Sequence, residues 1–260
     1  MLILLPPSEG KTAPARGRAL QPERLSFPSL HPARAKVLEA LVELCTTDGA
    51  TGLDRAVQVL GVGRTLAAEV ARNADLASAH AARADRVYTG VLYEALDLPS
   101  LEGSARRRAT SWVAVTSALF GLVHPTDHIP AYRLSGDVNL PGIGSLAAFW
   151  RDQLDGAVRD AAGKGLVVDL RSSTYAAFWR PDPELARRVV TLRVLHEVDG
   201  TRKVVSHFNK ATKGRIVRAL LQDGGAAATP KALAGQLSDL GWHVEPGGRG
   251  PALDVVVTDL

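Results

Sequence analysis

The fold is decided first by Leu2–Thr12, which reads Leu-Ile-Leu-Leu-Pro-Pro-Ser-Glu-Gly-Lys-Thr. Its four apolar residues predict a short buried strand, and the two prolines that follow end it. The loop behind them offers a hydroxyl, a carboxylate, a flexible glycine and an ammonium. Because α/β sheets form their ligand sites beyond strand ends, we expect this loop to form a site with Ser8 and Lys11. A plain surface turn is the alternative.

This loop is similar to half of a phosphate-binding P-loop, but the pattern is incomplete. A P-loop needs a glycine five positions before Gly10, and that position holds Leu5. We therefore interpret the stretch as a site-forming loop and not as a nucleotide-binding motif.

The composition is that of a soluble globular protein. The chain has 260 residues, 46% of them hydrophobic, a mean hydropathy of +0.02 and no apolar stretch near the ~20 residues of a membrane helix. A single cysteine, Cys45, excludes an internal disulfide and a cysteine-built zinc site, which fits a reducing compartment. The N-terminus lacks the basic and long apolar segments of a signal peptide. We expect a cytoplasmic protein without a membrane segment.

The charge balance is basic, with a net charge of +4 and a pI near 9.4. Arginine supplies most of the cations. Solvated surface charge is the ordinary explanation of such a balance, and affinity for nucleic acid is the alternative.

Hydrophobic periodicity predicts a mixed α/β (α+β) fold, in which residues 1–260 form one compact domain with a mixed sheet and surrounding helices. The predicted helices cover 33–46, two short segments within 53–73, 76–84, 145–162, 209–221 and 230–240. The predicted strands cover 2–5, 112–116, 166–170, 242–245, 254–257 and a hairpin of 189–198 with 203–207 about Asp199-Gly200.

The two helices within 53–73 enclose the pattern of a helix-hairpin-helix. Gly61 and Gly63 permit the tight turn, and amides at such a turn can point toward a DNA phosphate beside Arg64. Contacts of this kind follow the DNA backbone and do not read its sequence. A plain turn between helices is the alternative. Residues 140–147 match the pattern again, but no helix is predicted before them.

Three cations begin the helix predicted from Asn209, namely Lys210, Lys213 and Arg215. Cations in the first turns oppose the helix dipole by a few tenths of a kcal/mol each, so an anionic ligand would explain them. Solvated charge is the alternative.

Polar side chains also crowd the end of the strand predicted at 166–170. Arg171 and Tyr175 follow it, at the usual position of a ligand site. Ser172, Ser173 and Thr174 can equally serve as helix caps, and both roles are compatible.

Residues 117–134 contain two further candidates, Tyr132 and Arg133, a hydroxyl and a planar fork that suit a carboxylate or phosphate. His124 and His128 have a spacing that can hold a metal, but the neighbouring prolines argue against the helix that would align them. We predict no metal site and no cofactor. A nucleophile signal is weak, and Ser8 activated by Lys11 is the one pair that the sequence suggests.

The stretches described above, taken in their order from Met1 to about Leu221, resemble the YaaA family of peroxide-stress proteins. The resemblance implies a single-domain mixed α/β fold and a cytoplasmic bacterial protein that limits iron-driven damage under hydrogen peroxide. It also implies a basic cleft that binds DNA with the helix-hairpin-helix. Positions that match the family are Ser8, Lys11, Gly61, Gly63, Tyr132, Arg133, Ser172, Tyr175, Lys210 and Lys213. The chain departs from the best-known members in its Ser-to-Lys spacing and beyond Gly224.

The sequence is compatible with three functional hypotheses. The first is a stress protein that binds DNA without sequence preference. The second is an enzyme, a lyase or hydrolase, that acts on a small anionic metabolite through Ser8, Lys11, Tyr132, Arg133, Arg171 and Tyr175. The third is a structural network within a protein that binds a partner. The sequence does not predict an oligomeric state.

Overall fold

The apolar run Leu2–Leu5 becomes an interior strand of an eight-stranded sheet, with all four residues fully buried. The structure is a computed structural model that describes residues 1–46, 49–198, 200–203, 206–248 and 250–258. The strands are β1 (Leu2–Leu5), β2 (Ala82–Arg83), β3 (Val113–Ser117), β4 (Gly121–Val123), β5 (His128–Ile129), β6 (Asn139–Leu140), β7 (Gly144–Ser145), β8 (Val167–Asp169), β9 (Val189–Val198), β10 (Thr201–Lys203), β11 (His243–Pro246) and β12 (Ala252–Val257).

Helices lie between many of these strands along the chain. They are α1 (His31–Thr46), α2 (Gly49–Val59), α3 (Ala67–Ala71), α4 (Ala84–Val87), α5 (Val91–Leu96), α6 (Gly103–Trp112), α7 (Leu146–Arg151), α8 (Leu154–Ala162), α9 (Ser173–Ala176), α10 (Pro183–Ala186), α11 (Ser206–Asp223) and α12 (Pro230–Asp239). Short 3₁₀ turns lie at Pro22–Arg24, Pro28–Leu30, Arg64–Leu66, Arg72–Asp75 and Leu98–Ser100.

The sheet has the order β11-β12-β9-β8-β1-β3-β4, and β10 pairs with β9. The strands β3, β1, β8, β9 and β12 run parallel to one another, whereas β4, β10 and β11 are antiparallel to their neighbours. The mixed α/β class predicted from the sequence is therefore confirmed. Since β1, β3 and β8 are parallel neighbours, their carboxyl ends open on one edge of the sheet.

Several predicted elements are wrong. Residues 76–84 were expected to be helical, but Ala82–Arg83 is a strand paired with β5, so tertiary pairing overrides local helix propensity. The predicted helix 145–162 is divided into α7 and α8. The repeated glycine pattern at 140–147 forms the small hairpin of β6 and β7 followed by α7, so it is not a second helix-hairpin-helix.

The predicted hairpin after β9 is only partly correct. β10 pairs antiparallel with β9, as expected. However, β10 ends at Lys203 and α11 begins at Ser206, so the strand predicted over 203–207 is wrong. Asp199, Val204 and Val205 lie outside the described residues. The helices α5 and α6 were not predicted.

Candidate functional site

The candidate site lies where the chain leaves the parallel strands β1, β3 and β8. The loop 6–12 follows β1, Ser117 ends β3, and Leu170 follows β8. Parallel pairing places these ends side by side, because Leu5 aligns with Val115 and Leu4 aligns with Asp169. The strand-end argument from the sequence therefore leads to one location.

The loop 6–12 is fastened to the segment before α5. The Ser8 hydroxyl donates to the carbonyl oxygen of Gly10 at 2.6 Å and accepts from the amide of Thr89 at 3.0 Å. The Thr89 hydroxyl donates to the same Gly10 oxygen at 3.1 Å. The amide of Thr12 donates to the Val87 carbonyl at 2.9 Å. These bonds hold the backbone around Lys11 in one conformation.

The Lys11 ammonium is held by main-chain oxygens. Its Nζ donates to the carbonyl of Ser8 at 2.8 Å and to that of Glu9 at 3.3 Å. It lies over the Tyr132 ring, 4.3 Å from the centroid, and 5.8 Å from that of Tyr88. The suggested Ser8–Lys11 nucleophile is not formed, because the amine bonds the Ser8 carbonyl while the hydroxyl donates to Gly10.

The pKa of Lys11 is lowered to about 8. Burial is the largest cause, since removal from water disfavours the charged form. The positive charge of Arg133 acts in the same direction, and the carboxylates of Glu9 and Glu69 oppose it. At neutral pH a fraction of the molecules therefore carry a free amine.

All four tyrosines of the chain take part in this site. The Tyr132 hydroxyl lies 3.0 Å from that of Tyr88 and 2.7 Å from that of Ser117. The rings of Tyr88 and Tyr93 stack at 5.4 Å, and the Tyr93 hydroxyl donates to the Pro6 carbonyl at 2.6 Å. Glu9 and Tyr88 lie close enough to Tyr175 to raise the pKa of its hydroxyl.

Burial raises the pKa of each of these phenols above the ordinary 10, to about 12 for Tyr88. Neighbouring phenols contribute in the same direction for Tyr93 and Tyr132. The hydroxyls therefore stay protonated at physiological pH. The uncharged rings of Tyr88 and Tyr132 lie beside the Lys11 amine. We call Lys11, Tyr88, Tyr132, Arg133 and Tyr175 the Lys11 cluster.

Arg133 provides the second cation of the Lys11 cluster. Its Nη1 donates to the Glu9 carbonyl at 3.2 Å and lies 3.6 Å from Glu69 Oε2. Its Nη2 lies 3.7 Å from Glu9 Oε2, and the side chain is 13% exposed. The buried Nε has no hydrogen-bond partner among the described residues. The Arg133 main chain forms two bonds with the Asn73 side chain, at 2.8 and 2.9 Å.

Arg171 lies near this edge but is engaged by the protein itself. Its guanidinium forms a two-point ion pair with Asp169, at 2.9 and 2.7 Å, and donates to the carbonyls of Tyr175 and Trp179. It is buried, and it stabilises the turn after β8. Lys213 reaches the same turn from α11 and donates to the Leu170 carbonyl at 3.0 Å. Burial lowers the pKa of Lys213.

The remaining cations of the predicted sites lie on the surface. Lys210 and Arg215 are exposed on α11. Gly61, Gly63 and Arg64 are exposed between α2 and α3. The Arg64 side chain is 80% exposed and pairs at 3.0 Å with the carboxylate of Asp54, whose side chain is 55% exposed. In the part of the chain that the structure describes, none of their hydrogen bonds or ion pairs reaches the Lys11 cluster.

Sequence reasoning missed several residues that support the site. Glu69 and Asn73 belong to the segment predicted as the hairpin helices, yet they contact Arg133. Their spacing of four residues would place them on one helix face, which is the signal that the sequence offered. The other supporting residues that were missed are Tyr93, Thr89 and Ser117.

The described residues contain no group of three His, Cys, Asp or Glu side chains placed to hold a metal ion. Within the same residues, no helix is long and apolar enough to cross a bilayer. Lys11 can accept or release a proton near neutral pH, and Arg133 can hold an anion beside it.

The sequence is similar to a described family and to several of its proteins. A family model described as peroxide stress protein YaaA matches residues 1–246. A UPF0246 protein of Streptomyces coelicolor is 52% identical over 265 residues, covering 100% of both chains. A UPF0246 protein of Corynebacterium efficiens is 40% identical over 261 residues, covering 99% of this chain and 100% of its own. One of Corynebacterium glutamicum is 42% identical over 225 residues, covering 85% and 84%.

Proposed function

This chain belongs to the YaaA family of peroxide stress proteins, and from that premise we propose that it is an enzyme that acts on a small anionic metabolite at the Lys11 cluster. The observation that carries the proposal is the position of the Lys11 amine, which bonds the carbonyls of Ser8 and Glu9 and lies over the Tyr132 ring. Burial there lowers its pKa from the ordinary 10.5 to about 8. Catalytic lysines are adjusted to this range by burial and by neighbouring charge. A lysine that served only to neutralise surface charge would not need to lose its solvation.

The second support is the arrangement of the two cations. Within the described residues, the buried Nε of Arg133 has no hydrogen-bond partner, and two carboxylates lie 3.6 and 3.7 Å from its other nitrogens. A ligand carboxylate or phosphate would supply the acceptor that Nε lacks. We therefore assign anion binding to Arg133 and proton transfer to Lys11.

The reaction class that fits is a lyase or a hydrolase. In a lyase the free Lys11 amine takes a proton from a carbon beside the substrate's carboxylate, and the electron pair of that bond expels the leaving group. In a hydrolase the same amine takes a proton from water, whose oxygen attacks the substrate's carbonyl carbon or phosphorus. The bond to the leaving group then breaks, and the leaving group takes the proton back from the Lys11 ammonium. In both reactions Tyr88 and Tyr132 act as positioning residues, because their neutral rings shield the amine from water.

A thermal-shift screen of small carboxylates and phosphates tests this proposal, with each hit then followed for turnover by NMR. We expect a hit that stabilises the wild type and loses its effect in Lys11→Met. Lys36→Met is the matched control, because Lys36 is exposed on α1. Failure of every anion to stabilise the wild type would count against the proposal, as would equal effects in Lys11→Met.

DNA binding is a second candidate, and the exposed segment 61–65 between α2 and α3 favours it. Gly61 has a φ of 63°, which permits the tight turn there, and Arg64 stands beside it in solvent. Lys210 and Arg215 supply further exposed cations on α11. We assign these residues to phosphate contacts without sequence preference, through which a cytoplasmic stress protein would shield DNA.

Gel shifts over a salt series test this second candidate. Affinity should fall steeply with salt, because each neutralised phosphate releases counterions. Arg64→Gln should weaken binding to all sequences alike and make the salt dependence shallower. Affinity that ignores salt, or none at low salt, would exclude it.

A further inference from the structure

A cavity lies apart from the Lys11 cluster, between α1, the segment that precedes it, Ala77 and Phe120. It has a volume of about 380 Å³ and is lined almost entirely by apolar groups. Leu25, Leu38, Val42 and Phe120 belong to its lining, and Ala77 lies at its exposed rim. Cavities of this size and character are typical of sites for small apolar ligands.

A buried cation also lines this cavity. Arg34 is 2% exposed, and it donates from Nε to the Phe120 carbonyl at 2.9 Å and from Nη2 to the Leu122 carbonyl at 2.7 Å. Its Nη1 is buried and has no hydrogen-bond partner among the described residues. An unpartnered buried donor on a charged group is costly, so such a donor usually has a ligand, an ion or an ordered water as its partner.

No carboxylate compensates the charge of Arg34 directly within the described part of the chain. Asp127 acts on it through space, but its oxygens accept hydrogen bonds from Ser26 and from the His124 amide. Burial lowers the pKa of Arg34 to about 10, so the guanidinium remains charged at neutral pH. Glu39 also lines the cavity, and it is exposed.

We propose that this cavity binds an amphiphilic monocarboxylate, with the apolar tail among Leu25, Leu38, Val42 and Phe120 and the carboxylate on Nη1 of Arg34. The carboxylate supplies the acceptor that Nη1 lacks and compensates a buried positive charge. The tail occupies an apolar cavity of about 380 Å³. This site is independent of the Lys11 cluster and of its proposed function.

Isothermal titration of the full chain with octanoate tests the proposal, with 1-octanol and butyrate as comparisons. The first comparison removes the charge and the second removes most of the tail. We expect octanoate to bind at least about tenfold more tightly than either, since a hydrogen bond to a charged group contributes that much. Ala77→Phe should abolish the binding by filling the rim, whereas the neighbouring Ser78→Phe, which lies outside the lining, should retain it.

Each alternative result overturns the proposal. Equal affinities for octanoate and 1-octanol would show that Arg34 Nη1 does not recognise the carboxylate. Unchanged binding to Ala77→Phe would place the ligand elsewhere. Absence of binding to the wild type at millimolar octanoate would show that the cavity has another role. Arg34→Lys, checked for folding by circular dichroism, should weaken octanoate and leave 1-octanol unchanged.

Discussion

At the residue scale, burial of Lys11 lowers the stability of the folded protein and gives the amine a pKa at which it can act as a base. Its folded pKa of about 8 lies below the ordinary 10.5, so the unfolded chain holds more protons between these two pH values. The cost of burying the ammonium is therefore fully present below about pH 8 and declines as the pH rises toward 10.5. Over that interval the cost amounts to about 3 kcal/mol at most.

Lys11→Met should consequently be more stable than the wild type at pH 7, by about 1–2 kcal/mol after the loss of its hydrogen bonds. The gain should shrink when both proteins are unfolded by urea at pH 10. Urea titrations at the two pH values measure this difference, and Lys36→Met provides the control. A variant that is less stable than the wild type at pH 7 would indicate a structural lysine. That result would favour the third functional hypothesis, a structural network within a protein that binds a partner.

Arg133→Gln should weaken binding of a small anion about tenfold or more, because the amide lacks both the charge and the fork of the guanidinium. The titrant is the best hit from the screen, measured by calorimetry. Arg24→Gln is the matched control, since Arg24 is exposed and its guanidinium bonds only the side chain of Gln21 among the described residues. Equal losses of anion affinity in the two variants would show that overall charge, and not a contact of Arg133, causes the effect.

The sequence predicted the loop of Ser8 and Lys11 from its place after a predicted strand, and it predicted Tyr132 and Arg133 from the chemistry of a hydroxyl and a planar fork. It could not distinguish Arg171, because an arginine in a strand-end cluster looks the same whether its carboxylate belongs to a ligand or to Asp169. The deciding fact is the two-point pair between Arg171 and Asp169. That pair depends on the turn geometry after β8, which composition does not encode.

At the element scale, α11 approaches α5 closely at Gly214. An added Cβ there would overlap the Leu92 carbonyl oxygen, and it would lie 2.9 Å from the Leu96 amide and 3.0 Å from Ala95 Cβ. These are largely main-chain atoms, which cannot move without shifting α5. Because α5 carries Tyr93, whose hydroxyl bonds the Pro6 carbonyl, the contact also supports the loop of Lys11.

Gly214→Ala should therefore destabilise the protein by about 1–3 kcal/mol through overpacking. Gly235→Ala is the matched control on α12, where an added Cβ meets nothing within 4 Å. This control should be neutral or should stabilise by up to about 1 kcal/mol, because alanine favours a helix. Thermal unfolding of both variants measures the contrast, and equal melting temperatures would refute the close packing.

Element boundaries were predictable where periodicity and burial agreed, as for β1, α1 and α12. They failed where pairing across the chain decided the structure. Ala82–Arg83 is a strand only because β5, more than forty residues later, pairs with it. The short α5 is fixed by its contact with α11, a relation that no local pattern expresses.

At the scale of the whole molecule, residues beyond Gly224 complete the sheet. β12 pairs with β9 over six register positions, and Arg193 and Asp254 form a two-point ion pair across these strands at 2.7 and 2.6 Å. The sequence singled out this region as its departure from the best-known family members. The structure shows that the region covers an edge of β9.

Deletion of 225–260 should expose the edge of β9 and cause aggregation, because an uncovered strand edge pairs with other chains. Size-exclusion chromatography and the soluble yield measure this outcome. Asp254→Asn, which weakens the ion pair and keeps the strand, should remain monomeric if the full chain is monomeric. A soluble truncated protein with an unchanged melting temperature would contradict the role of β12.

The convergence of the four tyrosines is also a property of the whole molecule. They stand at positions 88, 93, 132 and 175, and no spacing rule connects them. They meet because the sheet order brings the ends of β1, β3 and β8 together and α5 packs beside the loop of Lys11. The sequence contains the residues of the site, and the order of the strands in the sheet places them next to one another.

The most direct test of the Lys11 cluster is the titration of the Lys11 amine itself. The measurement is an NMR pH titration of lysine labelled with ¹³C at Cε, with Lys11→Met used to assign the signal. We predict a midpoint near pH 8 for Lys11. A midpoint near the ordinary 10.5 would contradict the account, because the amine would then be fully protonated at neutral pH and unable to act as a base.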